Sequence, residues 1–310
     1  MEPDPTQNQD GLPLEDRARQ LAERQAASRM PGVTPTPLDR LPTLQKVLRE
    51  AYAEFVSRSK EREVLSGVAE WILDNFYVVQ QATRQIGENM PAGYYRRLPK
   101  LDESTLRGYP RVYALAREIL RAVGGQLDVD RVKRFVRAYQ EVRLLTMGEI
   151  WALPTMLRLG VLELLTWSVA DAAGLEVPGA EDRLPGPVKL EEQRDEAIVA
   201  NAINTLRAID AQDWDAFFEA VSLVEEALRL DPANVYAAMS FDSRDRYRGV
   251  VEELARAVDQ SEQDVAGAAL RLARGRSQDD LEEAGESKRF GTRVEHVGFY
   301  LIGEGREKLE

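Results

Sequence analysis

From Leu38 onward, apolar residues recur at the spacing of one helix face. Leu65, Val68, Ala69, Ile72, Phe76 and Val79 follow it, as do Val132, Phe135, Val136 and Tyr139. The same spacing returns at Trp214, Phe217, Phe218 and Val221, and at Tyr247, Val250, Val251, Leu254 and Val258. Side chains at i, i+3, i+4 and i+7 share one side of a 3.6-residue helix, so each run predicts an amphipathic helix with a buried stripe. Strict alternation, the mark of a half-buried strand, is nearly absent before the C-terminus. The pattern predicts an all-α fold, a compact multi-helix assembly. It leaves room for a small C-terminal β-hairpin in VEHVGFYLIGEGREKLE, around Val297 to Ile302.

Helix boundaries carry their own chemistry. Thr146-Met-Gly-Glu149 and Ser261-Glu-Gln-Asp264 have capping-box spacing, in which side chains satisfy the free N–H groups of a first turn. Pro110 suits a first helical position, where a missing N–H costs nothing. Pro154 lies inside an apolar run and is expected to kink the helix or split it. Residues 1–37 are rich in Pro, Gln, Asp and Arg and read as a flexible N-terminal arm, with one short helix in LEDRARQLAERQAAS. A first helical half then covers 38–173, a linker 174–188, and a second helical half 189–275. Residues 276–310 read as a charged loop and C-terminal extension.

Composition narrows the class. In 310 residues, 44% are hydrophobic and 30% charged, which suits a globular chain with a sizeable core. The formal charge of −12 opposes binding to nucleic acid or anionic lipid. There is no cysteine, hence no disulfide and no thiolate metal site. The first residues, MEPDPTQNQDG, lack the basic and then apolar order of a secretory signal. The most apolar stretch, from Leu144 to Gly174, is interrupted by Glu149, Arg158, Glu163 and Asp171. A membrane span needs roughly 20 largely uncharged residues, so this stretch reads as a buried core helix.

Candidate chemistry is sparse. A single histidine, His296, cannot build a histidine metal cluster, and no G-x-S-x-G elbow is present to pair with it. Phosphate-binding glycine loops are absent. Asp128-Val-Asp130 is a D-x-D pair. It opens a helical run, where acidic residues cap the free N–H groups and complement the helix dipole. SLVEEALRLDPANVYAAM looks like a tetratricopeptide junction, but the pattern does not return at the required period of about 34 residues.

Two clusters mix arginine with aromatic rings. The first holds Tyr94, Tyr95, Arg96, Arg97 and Lys100; the second holds Phe241, Arg244, Arg246, Tyr247 and Arg248. Guanidinium forks grip carboxylates or phosphates, and tyrosines stack on sugars or bases. The competing reading is structural, with ion pairs between helices and the rings in the core.

These clusters fall within longer blocks that resemble one family. AEWILDNFYVV, PAGYYRRLPKL, GYPRVYALAREIL with FVRAYQ, and LTMGEIWALPTMLRL come first. INTLRAIDAQDWDAFFEAVSLVEEALRLDPANVYAAMSFDSRDRYRGVVEELAR and HVGFYLIGEGREKLE follow. In order and spacing they resemble the region before the first membrane span of the cyclic β-1,2-glucan synthases. The resemblance covers most of the chain from about Leu38 to Glu310, and it makes the tetratricopeptide-like patch a coincidence within one block.

That resemblance implies a place in a large bacterial inner-membrane enzyme that builds cyclic glucan from UDP-glucose. It implies a cytoplasmic position, with the transferase and membrane modules of the parent enzyme as partners. A divalent metal is implied for the transferase module and no cofactor for this segment. The transferase's Q-x-x-R-W motif is missing here: Gln81-Ala-Thr-Arg84-Gln85 lacks the tryptophan. No family catalytic residue can therefore be assigned. The chain is expected to end, at GREKLE, about where the first membrane span would start. The implied role is a non-catalytic scaffold or regulatory module. The alternative is a helical binding module, tetratricopeptide-like or ligand-binding, for a glucan, a nucleotide-sugar or a protein.

Overall fold

The computed structural model describes residues 12–28, 36–62, 64–102, 106–124, 126–178, 195–283 and 294–309, with side chains described to 275 in the helix that ends at 283. It is all-α apart from one two-residue strand pair, and it forms two compact units, Met1–Asp213 and Trp214–Glu310.

The first unit is built around one helix. In order it contains α1 (Leu14–Arg24), β1 (Ala27–Ser28), α2 (Leu41–Lys60), α3 (Gly67–Asn89) and α4 (Ala92–Arg97). Then come β2 (Lys100–Leu101), α5 (Arg111–Ala122), α6 (Val129–Gln140), α7 (Met147–Ala173) and α8 (Asp195–Ala211). Helices α2, α3, α5 and α8 pack around α7, which is apolar on every side and buried almost throughout. By length and composition α7 could cross a membrane, contrary to the sequence reading; 89% of its most apolar window is buried within the unit, as a core helix requires. The Thr146–Glu149 capping box starts it, and Gly174, at φ 70°, ends it in the left-handed conformation glycine favours.

Pro154 does not split α7: the helix is continuous from Met147 to Ala173. Its neighbours Ile150, Leu153, Met156 and Leu157 are all buried, so packing on all sides offsets the lost hydrogen bond. Polar ties fix the register of the surrounding helices. Asp210 on α8 accepts Arg158 of α7 at 2.9 Å and Gln81 of α3 at 2.9 Å. Helix α8 therefore belongs to the first unit, and the division falls at Asp213, later than the 174–188 segment read as the linker. Of that segment, 179–188 lies outside the described residues.

The helix foreseen in the N-terminal arm forms at Leu14–Arg24, but it is docked, not free. Ala18 and Ala22 are fully buried, letting α1 approach α6 closely. Arg17 pairs with Glu118 of α5 at 3.2 Å, and Tyr139 of α6 donates to Gln25 at 2.9 Å. The chain then pairs β1 with β2, Ala27 opposite Leu101 and Ser28 opposite Lys100, antiparallel. Short apolar reach made this segment look unattached; the small residues are what allow it to dock.

The second unit contains α9 (Trp214–Val221), α10 (Leu223–Leu228), α11 (Phe241–Ala257), α12 (Glu262–Glu283) and α13 (Val297–Leu301). Helix α12 packs against α10, α11 and α13. The Val297–Ile302 stretch read as strand or turn is a short helix closed at Ile302. Val297, Tyr300 and Leu301 are fully buried, an i, i+3, i+4 stripe that tertiary contacts select over the β-branched local preference.

Candidate functional site

The first cluster opens on α4, a helix of six residues after Pro91. The Tyr94 hydroxyl donates to the Gly148 carbonyl at the start of α7. Tyr95 is buried, and desolvation pushes its hydroxyl well above the ordinary tyrosine range, against a hydrogen bond with Thr36. Lys100 is 1% exposed; its ammonium donates to the Tyr95 carbonyl at 2.8 Å and lies 3.8 Å from the Tyr95 ring centre. Burial lowers the Lys100 pKa to about 8, although the Glu149 charge acts to raise it.

Glu149 is the anion at the centre of this region. It is fully buried, accepts both arms of the Arg111 fork, with Nε at 2.8 Å, and closes the α7 capping box through Thr146 N–H at 2.9 Å. Arg111 also donates to the Leu144 carbonyl at 2.9 Å. One carboxylate thereby serves as helix cap and as counter-ion to a buried guanidinium, an arrangement in which each charge is satisfied by the other. Arg96 and Arg97 take no part and are exposed to solvent.

The second cluster lies in the other unit. Three guanidiniums meet two carboxylates there. Glu225 of α10, fully buried, accepts Arg248 at 2.8 Å, Arg229 at 2.8 Å and the Tyr236 hydroxyl at 2.7 Å, and lies 3.3 Å from Arg244 Nε. Glu219 of α9 takes the other arms of Arg229, at 2.8 Å, and Arg244. The Arg248 guanidinium is 2% exposed and lies over the Phe218 and Phe241 rings, 5.0 and 4.7 Å from their centres. Arg246, two residues away, is exposed. The structural reading of Arg244 and Arg248 is the one this geometry supports.

Tyr247 belongs to a different constellation, one that the sequence did not announce. Asp231, buried in the turn after α10, accepts the N–H groups of Val235 and Tyr236 at 3.1 Å each and of Val297 at 2.9 Å. His296 Nδ1 lies 2.8 Å from the same carboxylate, and its Nε2 lies 3.2 Å from the Tyr247 hydroxyl. Those partners assign the tautomer: Nδ1–H donates to Asp231, and Nε2 accepts from Tyr247. Burial alone would raise the Asp231 pKa, but hydrogen bonds from His296, Val297 and Tyr236 hold it below the usual carboxylate range. The Leu-Asp-Pro that resembled a repeat junction is thus an anchor tying the α10–α11 turn to α13.

Another buried carboxylate, Glu163 in α7, was not singled out as a site either. The Tyr113 hydroxyl lies 2.8 and 2.9 Å from its oxygens, and burial raises its pKa against the pull of Arg117, Tyr113 and Arg40. The D-x-D pair caps a helix: Asp128 accepts the N–H groups of Asp130 and Arg131 at the start of α6. Among the described residues, no group of three or more His, Cys, Asp or Glu side chains could hold a metal ion. The two arginine–aromatic clusters belong to separate units; Lys100, Arg244 and Arg248 are held by internal partners, whereas Arg96, Arg97 and Arg246 are exposed.

The chain is similar to a cyclic beta-(1,2)-glucan synthase. It is 28% identical over 334 aligned residues to NdvB of Rhizobium meliloti (strain 1021), a match covering 86% of this chain and 11% of that protein. A match of 86% exceeds what Met1–Asp213 alone could supply in a chain of 310, so the similarity to NdvB includes residues of both units. The chain thus spans about a tenth of the length of its NdvB relative. No protein-family model matches it.

Proposed function

We propose that this chain is a helical, non-catalytic module of a system that makes cyclic β-1,2-glucan from UDP-glucose. In this reading it packs against the transferase module at the cytoplasmic face of the membrane and helps to fix its orientation. The divalent metal and the reacting carboxylates belong to the transferase. The observation that carries the reading is the similarity to NdvB across both units. It is supported by the way Glu149, Glu225, Arg111 and Arg248 are neutralised inside the fold and buried from substrate. Charged groups paired and buried in this way lie out of reach of a substrate, which fits a scaffold.

The test mixes the purified chain with a separately expressed transferase module of a cyclic β-1,2-glucan synthase and follows association by light scattering. A complex is expected at tens of micromolar or below, an affinity of about 6–7 kcal/mol. The chain alone, given UDP-glucose and a divalent metal, is expected to form neither glucan nor free UDP. Absence of the complex, or polymerisation by the chain alone, defeats the proposal.

A further inference from the structure

Helices α2 and α3 leave an open groove of about 440 Å³ on the first unit. Its lining follows helical spacing: Arg49 and Tyr52 on α2, and Leu73, Asp74, Phe76, Tyr77 and Gln80 on α3. Volume in this range suits a small ligand, and the opening suits one that is chain-like and only partly enclosed. Two features set the groove apart from ordinary surface. Tyr77 is 59% exposed, yet it is tethered: Arg207 of α8 holds its hydroxyl at 3.2 Å and also donates to Asn75. Tyr52 is stacked on Phe76 with ring centres 4.4 Å apart, so its ring orientation is fixed as well. Both are rigid aromatic platforms in place before any ligand arrives, which lowers the ordering cost of binding.

The polar lining points to the ligand class. Arg49, Asp74 and Gln80 line the groove as exposed side chains with no hydrogen-bond or ion-pair partner among the described residues, so their polar ends are open to a ligand. Guanidinium, carboxylate and carboxamide are planar groups that bind vicinal hydroxyls in pairs. One arginine and one aspartate cancel in formal charge, which suits a neutral ligand and disfavours a phosphate or nucleic acid. Aromatic faces in one groove with planar hydroxyl-binding groups are the chemistry of a pyranose chain, whose C–H faces lie on rings while its hydroxyls seek donors and acceptors.

We propose that the α2–α3 groove binds a neutral gluco-oligosaccharide, with Tyr77 and Tyr52 as stacking platforms and Asp74, Gln80 and Arg49 as hydroxyl partners. The saccharide class rests on the groove itself; the choice of glucose units and the preference for the β-1,2 linkage rest on the proposed function above. The test is calorimetry of the full chain with sophorose, cellobiose and maltose at up to about 10 mM, enough to detect a millimolar Kd. Binding of at least one disaccharide is expected, insensitive to added sodium chloride. Tyr77→Ala should weaken it about fivefold, the scale of one aromatic contact, and Asp74→Ala should weaken it too, with the circular dichroism spectrum unchanged. Tyr77→Phe should retain most of the affinity. Silence from all three sugars, or binding untouched by both alanine variants, overturns the site. Equal binding of the three sugars upholds the groove and removes only its tie to β-1,2-glucan. Failure of the transferase complex alongside binding of sophorose would separate the two proposals.

Discussion

Replacing Glu225 tests whether the second unit is organised by its buried charge cluster. The carboxylate is fully buried and takes three donors, Arg248, Arg229 and the Tyr236 hydroxyl, with the Arg244 charge 3.3 Å away. Glu225→Ala does not strand them equally. Arg229 and Arg244 keep Glu219, and Arg248 keeps Asp245 at 3.2 Å and Glu219 at 3.7 Å. The Tyr236 hydroxyl loses its acceptor, at a cost of about 1–3 kcal/mol for an unsatisfied buried donor. Breaking a buried pair by deleting one partner costs about 3–5 kcal/mol, and the surviving partners place this case near the lower end, at about 3 kcal/mol. Glu225→Gln keeps an oxygen for Tyr236 and should lose less. Because the chain has two units, a bulk melting curve would mix their responses. Hydrogen exchange of α11 amides under increasing urea reads the second unit alone. A loss below about 1 kcal/mol for Glu225→Ala, the range of exposed pairs, would refute the claim that this cluster holds the unit together.

Lys100 should give the first unit a rising stability from pH 8 to pH 10. Its folded pKa is lowered from 10.5 to about 8, so across that window the unfolded chain binds the extra proton and stability increases with pH. The slope should approach but not exceed about 1.4 kcal/mol per pH unit, and Lys100→Met should flatten it; an unchanged slope in urea titrations of that variant counts against the buried ammonium. Gly298→Ala should loosen α13, because an added Cβ would lie 2.5 Å from the Tyr247 hydroxyl oxygen and 2.6 Å from His296 Nε2. A cost of about 1–3 kcal/mol in the protection of α13 amides is expected, and a change within about 0.5 kcal/mol would show that the Asp231–His296–Tyr247 chain tolerates displacement.

The sequence by itself determined the helices. Periodicity fixed the buried stripes at Val68, Ile72 and Val79 and at Val132, Phe135 and Val136, and capping chemistry fixed the starts at Thr146 and Asp128. Both signals act within a few residues of the chain, so they can be read from it directly. The same locality explains the reading of Asp128-Val-Asp130 as a cap. Where distant segments decide, the local pattern stops short. Ala18 and Ala22 looked like part of a polar arm, and only the close approach of α6 makes their small size a reason to dock. Pro154 should break an isolated helix, yet α7 continues because neighbours surround it. Val297 to Leu301 is helical because Asp231, 66 positions earlier, receives its first N–H and pins His296 beside it. The arginine–aromatic runs were visible, but not which guanidinium would meet a carboxylate: Arg248 points into the core and Arg246, on the same helix, points to water. Pairing of charges, burial of a lysine and the opening of a groove between α2 and α3 depend on which helices become neighbours, and that is settled by packing across the whole unit.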